Sequence, residues 1–454
     1  MNREHMKFSR DPLRGMKDFY PPKLREVNWI IENIRDIVEL YCYVEYEVPL
    51  MEPIEIYAAK SSEELVNEQS FYVEKKKGEK LILRPEITPS LARMVARKSQ
   101  ELKKPIRWYS NPTCYRYERP QKGRRREFKQ FNVDILGEDS LFAELEIFNI
   151  IIDILKGFGA TSEQFQIFYN SRRFVDAVCE FILDVPHEKL PLVYKVLDKS
   201  DKMDENEFEK YVIDSFESEV IVQGILKLKD SDNLNELLES FNDVPKEFHE
   251  TKGYRELNEI ERLIEKTNIS EYCSFSSGVV RGLDYYTGVV FEVFDIGGEN
   301  NRAIFGGGRY DDLLSLFSEE QLSGIGFGMG VLMLSLFLKT YNLIPASIRQ
   351  DDYSDTIYIA SINEKVAIYS SKLGNLIRDE GLPCIVDYRF KGLKNQLSKA
   401  NELGVKIALI VGPKELEEEK VTVKNMESEE QKTISNDKLV PYIYNILEEI
   451  EENH

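Results

Sequence analysis

Histidine is scarce in this sequence: its 454 residues hold four, His5, His187, His249 and His454, together with two tryptophans. None of the four lies in a stretch that gathers other functional side chains, so a zinc cluster or a histidine-based nucleophilic triad has little to be built from. No protein metal site is expected. The five cysteines (Cys42, Cys114, Cys179, Cys273, Cys384) are odd in number, far apart and free of CxxC spacing. That excludes a disulfide framework and points to reduced thiols in a cytoplasmic protein. No apolar run approaches the ~18 residues of a membrane helix. The opening MNREHMKFSRDPLRG lacks the apolar stretch of a secretion signal. What is abundant is charge, 31% of residues with a net balance of −20, beside 42% hydrophobic residues. The chain is long enough for two or three domains, each with its own core.

The most informative stretch is residues 106–137, IRWYSNPTCYRYERPQKGRRREFKQFNVDILG. Two strand-like runs, 106–118 and 127–136, flank a basic loop and predict a hairpin. Alternation puts Cys114, Arg116 and Glu118 on one side of the first run, and groups Phe128, Gln130, Asn132, Asp134 and Leu136 on the second. If the two sides coincide, a guanidinium, an aromatic ring, an amide and a carboxylate converge, a set that needs a polar ligand. Between Arg116 and Lys129 seven basic residues stand against two acids, Glu118 and Glu127, a local excess of five. On an acidic protein, such a loop is either a solvated face or a place where a polyanion is brought to one spot.

Elsewhere the pattern alternates between helical and extended. Residues 22–42 carry apolar side chains at three-and-four spacing, from Leu24 to Tyr41, and an extended run from Val44 to Pro49 follows. In LILRPEITPSLARMVAR (81–97) a strand ends and a helix opens, with Thr88 expected as N-cap and Pro89 as first helical residue. Glu86 at that turn is available to an ammonium group or serves the helix dipole. A helix from Ser140 to Gly157 and the strand FQIFYN come next. Periodicity is then helical over 171–271, where 201–220 hold eight acids against two lysines.

Strands return with RGLDYYTGVVFEVF, in which Tyr285 and Tyr286 offer phenolic hydroxyls, and with GGGRYDDLL (306–314). No Gly-Lys-Ser/Thr follows the three glycines, so this is not a P-loop. GIGFGMGVLMLSLFL (324–338) alternates glycine along a strand before turning helical, leaving one face bare for a flat ring or for close packing. After a polar stretch, 341–354, strands and helices alternate to the end in a small α/β unit.

The segment YRYERPQKGRRREFKQFNVDILG resembles motif 2 of class II aminoacyl-tRNA synthetases in its histidyl-tRNA synthetase form, and RGLDYYTGVVFE (281–292) resembles that family's histidine-binding signature. RRREFKQFNVD is most similar to an archaeal-type branch. The resemblance implies an α/β (α+β) fold: an antiparallel-sheet catalytic domain in two parts, 1–170 and 272–340, with a helical insertion at 171–271. A linker, 341–354, and an α/β anticodon-binding domain, 355–454, complete it. The long helix with its following strand resembles motif 1, which implies a homodimer.

The implied activity joins L-histidine to tRNA(His) with ATP and Mg2+, through a histidyl-adenylate. By resemblance Arg116 and Arg281 act at the α-phosphate, and Phe128 stacks on adenine. Glu118 holds the adenine amino group or anchors the loop. Glu86, with Thr88 beside it, and Gln130 bind the ammonium. Asp134, Tyr285, Tyr286 and Tyr310 surround the imidazole. Arg119, Gln121, Lys122, Arg124, Arg125 and Arg126 grip the acceptor end of tRNA, while Lys391, Lys394 and Asn395 are candidates for the anticodon domain.

Two departures stand out: Met333 replaces the usual motif 3 arginine, and Asp134 replaces a usual glutamate. Met333 can cover adenine by a thioether contact but cannot hold phosphate. A non-aminoacylating relative, the histidine-binding regulatory subunit of ATP phosphoribosyltransferase, is the alternative. Such proteins generally lack the terminal domain.

Overall fold

The computed structural model describes residues 9–58, 68–74, 80–200, 203–229, 231–241, 243–280, 285–298, 303–319 and 321–452. Arg281, expected at the α-phosphate, lies outside these residues, as do the three positions after it. The amphipathic stretch near the start forms α1 (Pro21–Leu40), which opens with proline and buries Val27, Ile30, Ile31, Ile34 and Val38. The extended run after it keeps only two residues of strand, β1 (Val44–Glu45). A small antiparallel sheet follows, ordered β2 (Met51–Pro53), β4 (Lys80–Leu83), β3 (Tyr72–Glu74). It leads into helix α2 (Thr88–Lys98).

The expected hairpin is present, but its first arm is broken. Strands β5 (Ile106–Ser110) and β6 (Thr113–Tyr115) are separated at Asn111 and Pro112, and both pair with β7 (Glu127–Leu136). Pro112 has no amide hydrogen to give the ladder, and its carbonyl instead accepts from the Gln130 amide at 3.1 Å. Helix α3 (Phe142–Gly157) buries ten of its side chains, two turns of which are almost wholly isoleucine and leucine. β8 (Phe165–Ser171), β9 (Cys273–Phe275), β10 (Val289–Asp295), β11 (Ala303–Arg309), β12 (Gly324–Gly330) and the helix after it complete the sheet region.

The nine-stranded sheet runs β1-β5-β7-β12-β11-β10-β8-β9, with β6 on β7. Its six central strands pair antiparallel, and each end carries a parallel strand, β1 on β5 and β9 on β8. Helices α1 and α3 pack together over one face. Period-two alternation sends Phe131, Val133 and Ile135 of β7 and Ile325, Phe327 and Met329 of β12 into that core. The intervening side chains of β7 must therefore face the other way.

Between β8 and β9 the chain is helical, as its periodicity predicts, and ends in α4 (Lys252–Lys266). Its apolar side chains continue the same hydrophobic cluster as the sheet. Helix α5 (Val331–Thr340) follows β12 directly. The chain divides into two units, residues 1–348 and 349–454.

The second unit has its own core and a five-stranded sheet of β13 (Ile357–Ser361), β14 (Cys384–Asp387), β15 (Ile407–Val411), β16 (Lys420–Asn425) and β17 (Gln431–Ser435). The order is β14-β13-β15-β16-β17, the first three parallel and the last two antiparallel. Central β13 and β15 are buried throughout, as parallel strands covered on both faces require. Three helices cover them, α6 (Ala367–Asp379), α7 (Leu393–Leu403) and α8 (Leu439–Glu452). No helix among the described residues is long and apolar enough to cross a membrane.

Candidate active site

On the face of the main sheet turned away from α1 and α3, two cavities of about 650 Å³ and 300 Å³ open into the first unit. Arg116, Gln130, Glu292 and Gly328 line both, so the two are lobes of one cleft.

The smaller lobe gathers Glu86, Thr88, Gln130, Asp134, Tyr285, Tyr286 and Tyr310. Every residue expected around an amino acid is thus in one place. Glu86 is only 2% exposed and its carboxylate Oε2 accepts from the Tyr285 hydroxyl at 3.0 Å. The Tyr57 hydroxyl donates to the Glu86 carbonyl at 3.1 Å, pinning the turn. Thr88 is the first residue of α2 and Ile87 occupies the N-cap, so the expected cap is displaced by one residue and makes no side-chain bond. Residue 87 already has helical backbone angles, which removes the extended geometry a threonine cap requires.

Asp134 is the most unusual group. It is 1% exposed, its Oδ1 accepts from the Tyr310 hydroxyl at 2.5 Å, and its buried Oδ2 has no hydrogen-bond partner among the described residues. Burial pushes its pKa up to about 7, against the opposing pull of the Tyr310 hydrogen bond. Burial likewise raises the phenols of Tyr285, Tyr286 and Tyr310, so all three are neutral donors. The Tyr285 ring meets those of Tyr286 and Tyr310 edge to face, at 5.1 and 5.8 Å. Gln130 Nε2 donates to Asn132 Oδ1 at 2.9 Å.

Three of the alternating glycines of β12 are packed against side chains, while Gly330 faces open space and lines the larger lobe. A Cβ at Gly324 would fall 2.4 Å from the Tyr310 ring, one at Gly326 2.3 Å from Asp134 Oδ1, and one at Gly328 2.5 Å from Gln130 Nε2. Asp134 and Gln130 of β7 and the Tyr310 ring occupy the space that side chains at these three positions would need.

The larger lobe is lined by Arg116, Glu118, Gln121, Arg124, Arg125, Phe128 and Met333, among others. Arg116 donates through Nε to the Pro85 carbonyl at 2.9 Å, and its guanidinium stands 5.4 Å from the Phe128 ring centre. The Glu118 carboxylate accepts from Arg124 at 3.3 Å. Arg126, expected to reach RNA, is committed inside the loop: it stacks on Tyr117 at 3.9 Å and donates to the carbonyls of Glu118 and Arg14. Arg119, Gln121, Lys122 and Arg124 are exposed. Met333 lies against the loop at Gly123, whose φ of +83° leaves its Cβ position 2.2 Å from the methionine sulfur. There a side chain would be strained and would collide.

Glu292, which lines both lobes, escaped the sequence reading. Its signal is a lone acid in VVFEVF, where exposure alternates so that Glu292 and Phe294 leave the core together. Arg309, by contrast, sits among the glycines of β11 without reaching the cleft. It binds Glu144 of α3 at 2.5 and 2.7 Å, both side chains almost fully buried. Among the described residues no cluster of three or more His, Cys, Asp or Glu could hold a metal ion.

Residues 15–334 match the family model for histidyl-tRNA synthetase. The chain belongs to that family. A second model, the anticodon binding domain, matches residues 356–446. A histidine–tRNA ligase of Leptospira biflexa is 37% identical over 439 residues, 95% of this chain and 97% of its own length. One from Haloarcula marismortui is 33% identical, covering 93% and 95%. The chloroplastic/mitochondrial relative of Arabidopsis thaliana is 31% identical, covering 94% and 85%.

Among solved structures, histidyl-tRNA synthetase from Nostoc sp. PCC 7120 superposes with a TM-score of 0.72 at 21% identity, covering 97% of this chain and 100% of the other. A chain from Bacillus halodurans described as an ATP phosphoribosyltransferase regulatory subunit/histidyl-tRNA synthetase gives 0.71 at 21% identity, over 89% and 99%.

Proposed function

We propose that the chain is a histidine–tRNA ligase, with the smaller lobe holding histidine, the larger holding ATP, and reaction occurring where Arg116 and Gln130 border both. The observation that carries this is the half-satisfied carboxylate of Asp134. A buried Oδ2 without a partner among the described residues, beside a neutral tyrosine, suits a ligand that brings an N–H on a small flat ring. Burial pushes the Asp134 carboxyl up to about 7, and an N–H donor from such a ring would stabilise its ionised form. Leucine or phenylalanine would leave the carboxylate unpaired, and sites of this kind discriminate by roughly 10⁴-fold or more. Glu86 and Gln130 take the substrate's ammonium.

In the first step a carboxylate oxygen of histidine attacks the α-phosphorus, the bond to the β-phosphate oxygen breaks, and pyrophosphate leaves. Then a terminal ribose hydroxyl of tRNA(His) attacks the acyl carbon, loses its proton, and AMP departs. Both steps are governed by positioning and charge stabilisation rather than by a protein nucleophile. Arg116, anchored on the Pro85 carbonyl, faces the charge that builds on the α-phosphate, and Arg281 is its proposed companion. Phe128 and Met333 enclose adenine.

Magnesium entering with ATP fits this wall. When bound, the ion would take most of its oxygen ligands from the phosphates, with Glu118 and Glu292 the carboxylates that line the larger lobe, and it would supply charge neutralisation on the diphosphate. The exposed loop residues Arg119, Gln121, Lys122 and Arg124 meet the acceptor end. Lys391, Lys394 and Asn395, exposed at the start of α7, meet the anticodon arm. The working form is a homodimer through α1 and β1.

Labelled pyrophosphate exchange into ATP, run with each amino acid in turn, tests the reading. Exchange dependent on histidine alone, with charging of tRNA(His), is expected; binding of histidine without exchange would select the regulatory-subunit reading instead.

A further inference from the structure

One buried side chain beside the amino-acid lobe takes no part in the chemistry above. Tyr46 follows β1, and its amide donates to the Tyr109 carbonyl of β5 at 2.9 Å. β1 runs parallel to β5 with Val44 opposite Trp108 and Glu45 opposite Tyr109, so alternation carries Tyr46 onto the face that Trp108 occupies. The two rings meet at 5.6 Å. Trp108 stands opposite Asp134 in the β5–β7 ladder, and residues directly opposite share a face. Tyr46, Trp108 and Asp134 therefore form a row across three neighbouring segments. Asp134 lines the lobe, while Tyr46 is packed in the hydrophobic cluster that also holds Tyr285 and Tyr310.

The row ends in two polar atoms, the Tyr46 hydroxyl and Asp134 Oδ2, each buried with no hydrogen-bond partner among the described residues. Either one left alone is costly, and buried polar groups of this kind are met by each other or by a bridging water. Burial, and after it the Asp134 carboxylate, hold the Tyr46 phenol well above its usual range, so it is a neutral donor. Its other acidic neighbours suit it less. Glu47 is paired with Arg84, and the Cys114 thiol, pushed up to about 12 by burial, is neutral and accepts weakly. A carboxylate oxygen has two lone pairs, so Oδ2 can meet a ring N–H in the lobe and a donor from the sheet together.

We propose that Tyr46 is a positioning residue for histidine recognition, its hydroxyl donating to Asp134 Oδ2 across one buried water. This deepens the ligase reading and rests on it for the identity of the ligand. Tyr310 holds Oδ1 and Tyr46 steadies Oδ2, so the carboxylate is fixed at both ends before the imidazole arrives.

The test is calorimetric titration of the full-length protein and its Tyr46→Phe variant with histidine and, separately, with ATP. Phenylalanine keeps the ring on Trp108 and removes only the hydroxyl. Histidine affinity should fall about 10-fold, the scale of one hydrogen bond to a charged group, with ATP affinity unchanged. Equal losses for both ligands would mean a packing role and overturn the proposal, as would undiminished histidine affinity. A ligand-free comparison separates it from the ligase reading. At pH 8, Tyr46→Phe should lower the melting temperature of the parent but not that of Asp134→Ala, which offers no acceptor. The same drop in both backgrounds would show that Tyr46 acts without Asp134 and sink the pairing. Should the alanine variant not fold, Asp134→Asn, which carries no charge, takes its place. If histidine binds without pyrophosphate exchange, the ligase reading fails, while these comparisons still decide the role of Tyr46.

Discussion

Asp134 has one oxygen bonded and one stranded, and both conditions can be measured. Under the ligase reading alanine there removes the imidazole's partner, so Asp134→Ala should raise the histidine KM by about 10²-fold, the scale of a lost hydrogen bond to a charged buried group. The ATP KM should hardly move, and pyrophosphate exchange reads both. Because its folded pKa of about 7 exceeds the model-peptide value near 3.9, the folded state binds the proton more tightly than the unfolded one. Relative stability is therefore full below about pH 4 and declines until about pH 7. Asp134→Asn, which cannot ionise, should melt above the parent at pH 8, and the gap should shrink as the pH is lowered toward 4. A constant gap across that range would show that the carboxyl is not the titrating group.

Strand β12 shows how an element can be specified by what it leaves out. A Cβ at Gly326 would stand 2.3 Å from Asp134 Oδ1 and 2.4 Å from the Val133 carbonyl, whereas at Gly330 no heavy atom lies within 4 Å. Gly326→Ala should cost about 1–3 kcal/mol in urea denaturation, as overpacking does; Gly330→Ala should stay within about 0.5 kcal/mol of the parent. The Arg309–Glu144 pair welds β11 to α3, and Arg309→Met should cost about 3–5 kcal/mol by leaving a buried carboxylate alone.

These cases also mark what the sequence could disclose. The convergence on β7 was legible because alternation within one strand decides which side chains share a face. The purpose of the β12 glycines was not, because it depends on the partner strand. Gly326 pairs with Asp134 and Gly328 with Asn132, a register that no single strand encodes. Arg309 and Arg125 look alike in sequence, each an arginine near glycine, but one is neutralised by a residue 165 positions away and the other is not.

At the scale of the whole molecule there are two units, each with its own core. Residues 349–454 have a sheet and hydrophobic cluster of their own. Under the ligase reading, a protein ending at Ile348 should keep histidine-dependent exchange while charging of tRNA(His) falls by at least ~10²-fold, the range expected when one of two linked binding modules is lost. Aminoacylation and exchange assays on the same preparation separate these outcomes. The helical stretch between β8 and β9 was readable as helix from periodicity, but its fusion with the sheet's core was not, since apolar spacing says which face is buried and not against what. The four residues common to both lobes carry a practical consequence. Under the ligase reading nothing divides the imidazole end from the purine end, so a single inhibitor carrying both rings on a short tether would lose its freedom of tumbling only once, and would outbind the sum of its halves.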